Sequence, residues 1–182
     1  MQYLIEEMLL KSLKIFYYSE GMIIVLIAVI SDSHGNRNSI SKIKKKISNA
    51  QVLIFLGDGE NDLSEITEEF HGEVYAVRGN CDFNGKYPEE RIIEIQGKKI
   101  FMCHGHKYGV KYGYNSIYYR GKEIGADIVL FGHSHLPIIE EYDGLILMNP
   151  GSISHGMGRI DKTLGYIDLV DDNKPIIYIK EV

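Results

Sequence analysis

Histidines, aspartates and one asparagine recur in this chain directly after short apolar runs. DIVLF (Asp127–Phe131) is followed by GHSH, which supplies His133 and His135. The run ending at Ile30 is followed by SDSHGN, with Asp32, His34 and Asn36. QVLIFL is followed by GDGEND, with Asp58; EVYAV by RGNCD, with Asn80 and Asp82; KKIFMC by HGH, with His104 and His106. Residues i and i+2 of a strand point the same way, so the pair in GHSH is expected to present two imidazoles to one spot. Ligands of α/β sheets sit at the carboxyl ends of strands. Five strands would thus bring carboxylates, an amide and imidazoles to one edge. Gly57, Gly79, Gly105 and Gly132 stand beside them and allow tight turns.

This donor set suits metal ions. Asp32, His34, Asp58, Asn80, His104, His133 and His135 exceed what one tetrahedral ion needs. They suit two five- or six-coordinate divalent ions sharing one carboxylate and a water. Asp32 and Asp58 would cancel two of four positive charges, and the remainder favours hydroxide and a phosphate oxyanion. The neutral Asn80 keeps that excess. Taken singly, each motif has a plainer reading: Asp-x-His as a capped helix start, GDGEND as a loop, a buried histidine as a hydrogen-bonded core residue.

The elements that must position these residues are legible from periodicity. Ile23–Ile30 reads as a buried strand, far shorter than the roughly 20 apolar residues of a membrane span. Asn38 is expected to cap a helix with Ile40, Ile43 and Ile47 on one face and Lys42, Lys44, Lys45 and Lys46 on the other. A second helix is expected in LSEITEEF, with Leu63, Ile66 and Phe70 inward. The first half thus reads β-α-β-α-β, a parallel sheet. The second half reads as mostly antiparallel strands, with hairpins at Gln96-Gly97 and Asp143-Gly144 and a helix over about 115–124. Leu4, Ile5, Met8, Leu9, Leu13 and Phe16 recur at helical spacing, so residues 1–21 read as an added amphipathic segment, or as a product of start-site choice at Met22.

The 182 residues suit one domain, with 45% hydrophobic and 25% charged residues. A net charge of −5 argues against a broad basic surface for nucleic acid. Two cysteines make no secreted disulfide framework, so a reducing, cytoplasmic setting is expected, with no membrane attachment.

DSHGN, GD, GNCD, HGH and GHSH, in that order, resemble the calcineurin-like metallophosphoesterase superfamily. The NPGS after the last of these hairpins is similar to its small bacterial and archaeal phosphodiesterase branch. The resemblance covers about residues 23–182 and makes residues 22–182 the metallophosphoesterase domain. It implies an α/β four-layer sandwich: two mixed β-sheets packed face to face, with helices outside. It implies one ion on Asp32, His34, Asp58 and His135, and another on Asp58, Asn80, His104 and His133. Mn²⁺ is the first expectation, with Ni²⁺, Fe²⁺, Co²⁺ or Zn²⁺ as alternatives. The expected activity is hydrolysis of a small phosphodiester by a metal-bridging hydroxide. A phosphomonoesterase, or a protein-interaction scaffold of the same fold, are the rivals. The oligomeric state is open, a homodimer or higher assembly included.

Some residues carry two readings. Asn36 contacts phosphate or caps the next helix; Arg159, in a glycine-rich loop, contacts phosphate or is a surface arginine. Asp82 orients a ligand or caps the CDFNG turn. His106 is a candidate for substrate contact and acid catalysis; His155 reads as a loop residue and Cys103 as buried. Many relatives carry histidine where this chain has Cys81, and that histidine is thought to protonate the leaving oxygen.

Overall fold

A computed structural model describes residues 16–17, 23–156, 161–170 and 173–182. The first sheet takes its strands from both ends of the chain: β1 (Phe16–Tyr17), β2 (Ile23–Ile30), β3 (Val52–Phe55), β4 (Glu73–Ala76), β10 (Thr163–Val170) and β11 (Ile176–Glu181). The second holds β5 (Glu90–Ile95), β6 (Lys98–Cys103), β7 (Ile128–Leu130), β8 (Ile138–Tyr142) and β9 (Leu145–Asn149). The helices are α1 (Arg37–Ile47), α2 (Leu63–Ile66) and α3 (Asn115–Ile124).

Strand periodicity sorts side chains into layers. In β2, Ile27 and Val29 face one way, Ala28 and Ile30 the other. The first pair joins Ile54, Ile100, Met102, Leu130 and Met148 in a core between the two sheets. The second pair, with Phe55, packs on Ile40, Ile43 and Ile47 of α1 and Leu63 and Ile66 of α2. On the far side, Phe101, Val129 and Leu147 of the second sheet cover Ile117 of α3. The result is helix, sheet, sheet, helix: the expected four-layer sandwich with two mixed sheets.

In the first sheet the order is β11-β10-β2-β3-β4, with β1 also on β2. β2, β3 and β4 run parallel, while β10 is antiparallel to β2. The second sheet runs β5-β6-β7-β9-β8. Its hairpins β5-β6 and β8-β9 are antiparallel as expected, but β6-β7 and β7-β9 are parallel. With β10 antiparallel to both β11 and β2, the second half is mostly antiparallel as expected, and only the middle of the second sheet departs from that reading. Hairpins announce themselves by local turn residues, whereas α3 crosses over between β6 and β7 without a comparable sign. Both hairpin turns carry positive φ at their two central residues, Gln96-Gly97 and Asp143-Gly144, the type I′ geometry that matches strand twist.

Three further expectations change. Asn36, not Asn38, caps α1: its side chain accepts from the Ser39 amide at 3.2 Å. The second helix shrinks to one turn, and Phe70 lies beyond it, still packed on the core beneath α1. Most of the N-terminal segment lies outside the described residues. Phe16, the last of its expected helical positions, is in a strand, with Phe16 opposite Ile24 and Tyr17 opposite Ile23.

No candidate ligand precedes Asp32, and the described pairing before β2 is two residues long. A chain beginning at Met22 is therefore expected to fold with a melting temperature within about 4 °C of the full chain, the shift that ~1 kcal/mol makes at this size. Its metal content should be unchanged. A folded but metal-poor truncation would show that the segment shapes the site.

Candidate metal centre

The carboxyl ends of β2, β3, β4, β6 and β7 each release the chain into a short loop, and the loops meet. His104 Nδ1 lies 2.7 Å from the Leu56 carbonyl, so β6 is tied to the loop after β3 in the other sheet. The His133 amide donates to Asp32 Oδ2 at 3.1 Å, tying the loop after β7 to that after β2.

These loops are strained. Among the described residues, Asp32, His34, Asp58, His133 and His135 are five of the eight non-glycine residues with positive φ. Each such residue costs on the order of 1–3 kcal/mol and persists only when its surroundings hold it. Much of the holding falls to Asp82. Its Oδ2 accepts from the amides of Asp58 (2.8 Å) and Gly79 (2.7 Å), its Oδ1 from those of Gly59 and Glu60 (both 2.8 Å). Asp82 thus orients Asp58, an expected ligand, through its backbone and not its side chain. Gly79 leaves the needed room: a Cβ there would stand 2.1 Å from Asp58 Oδ1. Asp62 accepts from Ser33 Oγ at 2.6 Å and the Gly35 amide at 2.8 Å, fixing the turn that carries His34.

The NPGS segment after β9 is a second brace. Buried Asn149 donates to the Gly132 carbonyl at 2.8 Å and to Ser134 Oγ at 3.0 Å, and Ser152 Oγ donates to the Asp32 carbonyl at 2.9 Å. Motif reasoning overlooked Asp62, Asn149 and Ser152 as supports. The signal available was their position: Asn149 and Ser152 closely follow the LILM run, and Asp62 lies in the polar loop after QVLIFL, near the expected ligands.

Six of the seven expected ligands form two adjoining groups of donor atoms. Asp32, His34 and His135 make one; Asp58, His104 and His133 make the other. His135 Nε2 is 3.0 Å and His34 Nε2 3.6 Å from Asp32 Oδ1. Asp58 Oδ2 lies 3.3 Å from His104 Nε2 and 4.0 Å from His34 Nε2, so one carboxylate faces a histidine of each group. The imidazoles of GHSH do not share one spot as strand alternation suggested. β7 ends at Leu130, and the left-handed backbone beyond it turns His133 and His135 to different groups.

The remaining expected residues divide. Asn80 is exposed, its amide 3.4 Å from the Cys81 sulfur; that sulfur lies with His34 and Asp58 in a third close set of donors. His106 reaches the site, its ring 5.5 Å from His104 and 6.1 Å from His133. Of its two readings Asn36 shows the helix cap: its oxygen accepts from the Ser39 amide, and its nitrogen donates to the Ser154 carbonyl at 3.1 Å. Arg159 lies outside the described residues. His155, read as a loop residue, sits 6.3 Å ring to ring from His34. Cys103 is buried, as expected, and both cysteines are free thiols.

The donors fit divalent ions on a specific observation. His104 is buried and its Nδ1 faces a carbonyl, so Nδ1 carries the proton. Its Nε2 lone pair then points at Asp58 and Asp32, with no hydrogen-bond partner. Against two carboxylates that lone pair is repulsive, and either a second proton or a metal ion between the groups satisfies it. Burial alone would raise the Asp58 pKa, but His104 and the Cys81 amide outweigh it and hold it at about 2. Asp32 is likewise held low against burial, by His135 and His34.

The histidines separate. Asp32 raises the pKa of His34; burial lowers that of His104, but Asp58 and Asp32 outweigh it and leave it raised. Burial, then His104, lowers His133 to about 4. Binding an ion needs neutral imidazole. Below the raised pKa values of His34 and His104, uptake should therefore release a proton from each. Affinity should fall by roughly tenfold per pH unit per ion below their raised pKa values, since each group loses one proton. His133 adds to this only near pH 4, and the carboxylates stay charged throughout. Calorimetric Mn²⁺ titrations in buffers of different ionisation enthalpy check this. A heat independent of buffer would mean that both imidazoles are already neutral.

Residues 25–172 match the model of the calcineurin-like phosphoesterase superfamily domain. The chain is 37% identical over 148 residues to "Probable metallophosphoesterase YsnB" of Bacillus subtilis, covering 81% of this chain and 85% of that one. It is 27% identical over 167 residues to "Phosphodiesterase YfcE" of Escherichia coli, covering 76% and 84%. Among solved structures, a conserved predicted phosphoesterase from Streptococcus pneumoniae superposes with a TM-score of 0.74 at 28% identity, over 87% of this chain and 90% of that one.

Proposed function

Because the chain belongs to the calcineurin-like phosphoesterase superfamily, we propose that it is a metal-dependent phosphodiesterase acting on a small phosphodiester. The observation that carries this is the pair of adjoining donor groups, with Asp58 set between histidines of both at 3.3 and 4.0 Å and Asp32 Oδ1 also within 4.0 Å of His104. Ions bound there would supply Lewis-acid polarisation of phosphoryl oxygens and a lowered pKa for an attacking water. In our reading Asp32, His34, Asp58 and His135 hold one ion, and Asp58, Asn80, His104 and His133 the other. Nitrogen and oxygen donors suit Mn²⁺, and also Ni²⁺, Fe²⁺, Co²⁺ and Zn²⁺.

The chain's own residues then do four things. Asp82 and Asp62 keep the strained loops rigid, so the donors are preorganised. Asp32 and Asp58 neutralise only part of the ionic charge, which leaves attraction for a phosphate anion. Asn80, at the mouth, can offer an amide proton to a phosphoryl oxygen; Arg159 is assigned the same kind of contact. His106 stands beside His104 as a candidate to hand a proton to the leaving oxygen; it would do so as the imidazolium, a form that burial disfavours by lowering its pKa. The likeness to a relative named a phosphodiesterase favours diesters over monoesters. The free thiols suit the cytoplasm. None of the described helices is long and apolar enough to cross a membrane.

The test is one preparation, stripped of metal and reloaded with Mn²⁺, assayed on bis-nitrophenyl phosphate, nitrophenyl phosphate and cyclic nucleotides. Diester turnover above monoester turnover by about tenfold or more is expected. The reverse order would replace the reading with a phosphomonoesterase. Silence on every ester by ion-loaded protein would leave the scaffold.

A further inference from the structure

On the outer face of the second sheet, away from the donor groups, α3 and β8 leave an open groove of ≈ 580 Å³. Its walls are tyrosine rings: Tyr114, Tyr118 and Tyr119 from α3 and the turn before it, and Tyr142 from the end of β8. Tyr118 stands 5.3 Å from Tyr119 and 6.2 Å from Tyr142, edge to face in both pairs. Tyr119 and Tyr142 are largely solvent-exposed, so two aromatic rings stand open in one patch.

The charge in the groove is negative. The Tyr142 hydroxyl donates to Glu140 Oε2 at 3.0 Å and the Tyr118 hydroxyl to Asp143 Oδ2 at 2.9 Å. Glu141 is paired with Lys174 at 2.6 Å, and Lys122 donates to the Asp143 backbone carbonyl at 3.3 Å. Glu140 forms no ion pair among the described residues, and both it and Asp143 keep acceptor capacity beyond the one phenol each receives. We infer that this groove binds an aliphatic polyamine, its chain along the tyrosine faces and its ammonium groups on Glu140 and Asp143.

Three features select that ligand class. Ring faces attract cations within about 6 Å, and methylene chains lie favourably against them. The carboxylates accept hydrogen bonds, which a primary ammonium can donate and a quaternary one cannot. Finally, Glu140 and Asp143 are each held by a different tyrosine hydroxyl, and among the described residues no set of three donors close enough for one metal ion lies in this groove. Two acids along an aromatic wall suit two ammonium groups better than one compact ion. The inference is independent of the phosphoesterase reading.

Spermidine titrated calorimetrically into the Mn²⁺-loaded full chain at low salt tests it. We expect saturable binding of one equivalent. Glu140→Gln, which preserves shape, and Tyr119→Ala, at a largely exposed position, should each weaken it by about tenfold. Glu94→Gln, on the opposite edge strand of the sheet, should not. Absence of saturable binding would overturn the proposal. So would equal weakening in all three variants, which is the mark of diffuse attraction to an acidic protein. Choline, Mg²⁺ or N-acetylarginine amide binding as tightly as spermidine would replace the polyamine by another cation and overturn it as well.

Discussion

Asp58→Ala is expected to strip both ions and to reduce metal-dependent turnover by at least about a thousandfold, the scale of several kcal/mol of lost charge stabilisation. The reason is its double position. Asp58 Oδ2 faces His104 Nε2 at 3.3 Å and His34 Nε2 at 4.0 Å, one histidine from each donor group. His135 and His133 each serve one group only. His135→Ala and Asn80→Ala should therefore keep more metal than Asp58→Ala, and lose turnover with one ion remaining. Elemental analysis of the three purified variants decides it, with circular dichroism to confirm folding. The folding check matters, because Asp58 Oδ1 also accepts the Cys81 amide at 2.7 Å. Asp58→Asn, which preserves shape and that acceptor but removes the charge, should lose metal as Asp58→Ala does. Equal metal content in Asp58→Ala, His135→Ala and Asn80→Ala would sink the bridging role.

The second large effect concerns the leaving group. A basic alkoxide must be protonated as it departs; an aryl oxide hardly needs it. General acid help is worth roughly two to four powers of ten. At the position where the resemblance implies a histidine, this chain has Cys81. Burial, reinforced by Asp58, pushes its thiol up to about 11. A thiol that weakly acidic matches the task worse than an imidazole near its ordinary value of about 6.5. Activated aryl diesters should thus turn over readily and unactivated alkyl diesters far more slowly. Cys81→His should narrow that gap, and Cys81→Ala should leave aryl-ester turnover within about threefold of the unaltered chain, well short of a general-acid effect. A large loss in Cys81→Ala on the aryl ester would give the thiol a different role. Fast alkyl-ester hydrolysis by the unaltered chain would point to another acid, with His106 first, since its ring already stands 5.5 Å from His104.

Both arguments begin from residues whose identity the sequence alone determined. Asp32, Asp58, Asn80, His104, His133 and His135 each follow an apolar run, and a strand's carboxyl end has a fixed relation to the loop after it. Chain order therefore suffices to nominate them, and alternation within β2 suffices to predict two buried faces. Type I′ hairpins were legible at Gln96-Gly97 and Asp143-Gly144 for the same reason: a turn's chemistry is local.

Tertiary structure decided the rest, because the remaining choices depend on groups far apart in the chain. That β6, β7 and β9 run parallel depends on the crossover through α3, which turn residues do not encode. The left-handed backbone at five donor residues is more open to aspartate and histidine than to most residues, but residue type alone does not enforce it. It is imposed from outside, by Asp82 on the amides around Asp58, Asp62 on the His34 turn and Ser152 on Asp32. Strand alternation could not foresee that His133 and His135 part, since its period ends with the strand at Leu130. Nor could residue type alone tell that Asn36 would spend its amide on α1 and Ser154, which is 118 residues away. The sequence nominated the donors; long-range hydrogen bonds to strained loops fixed where each one points.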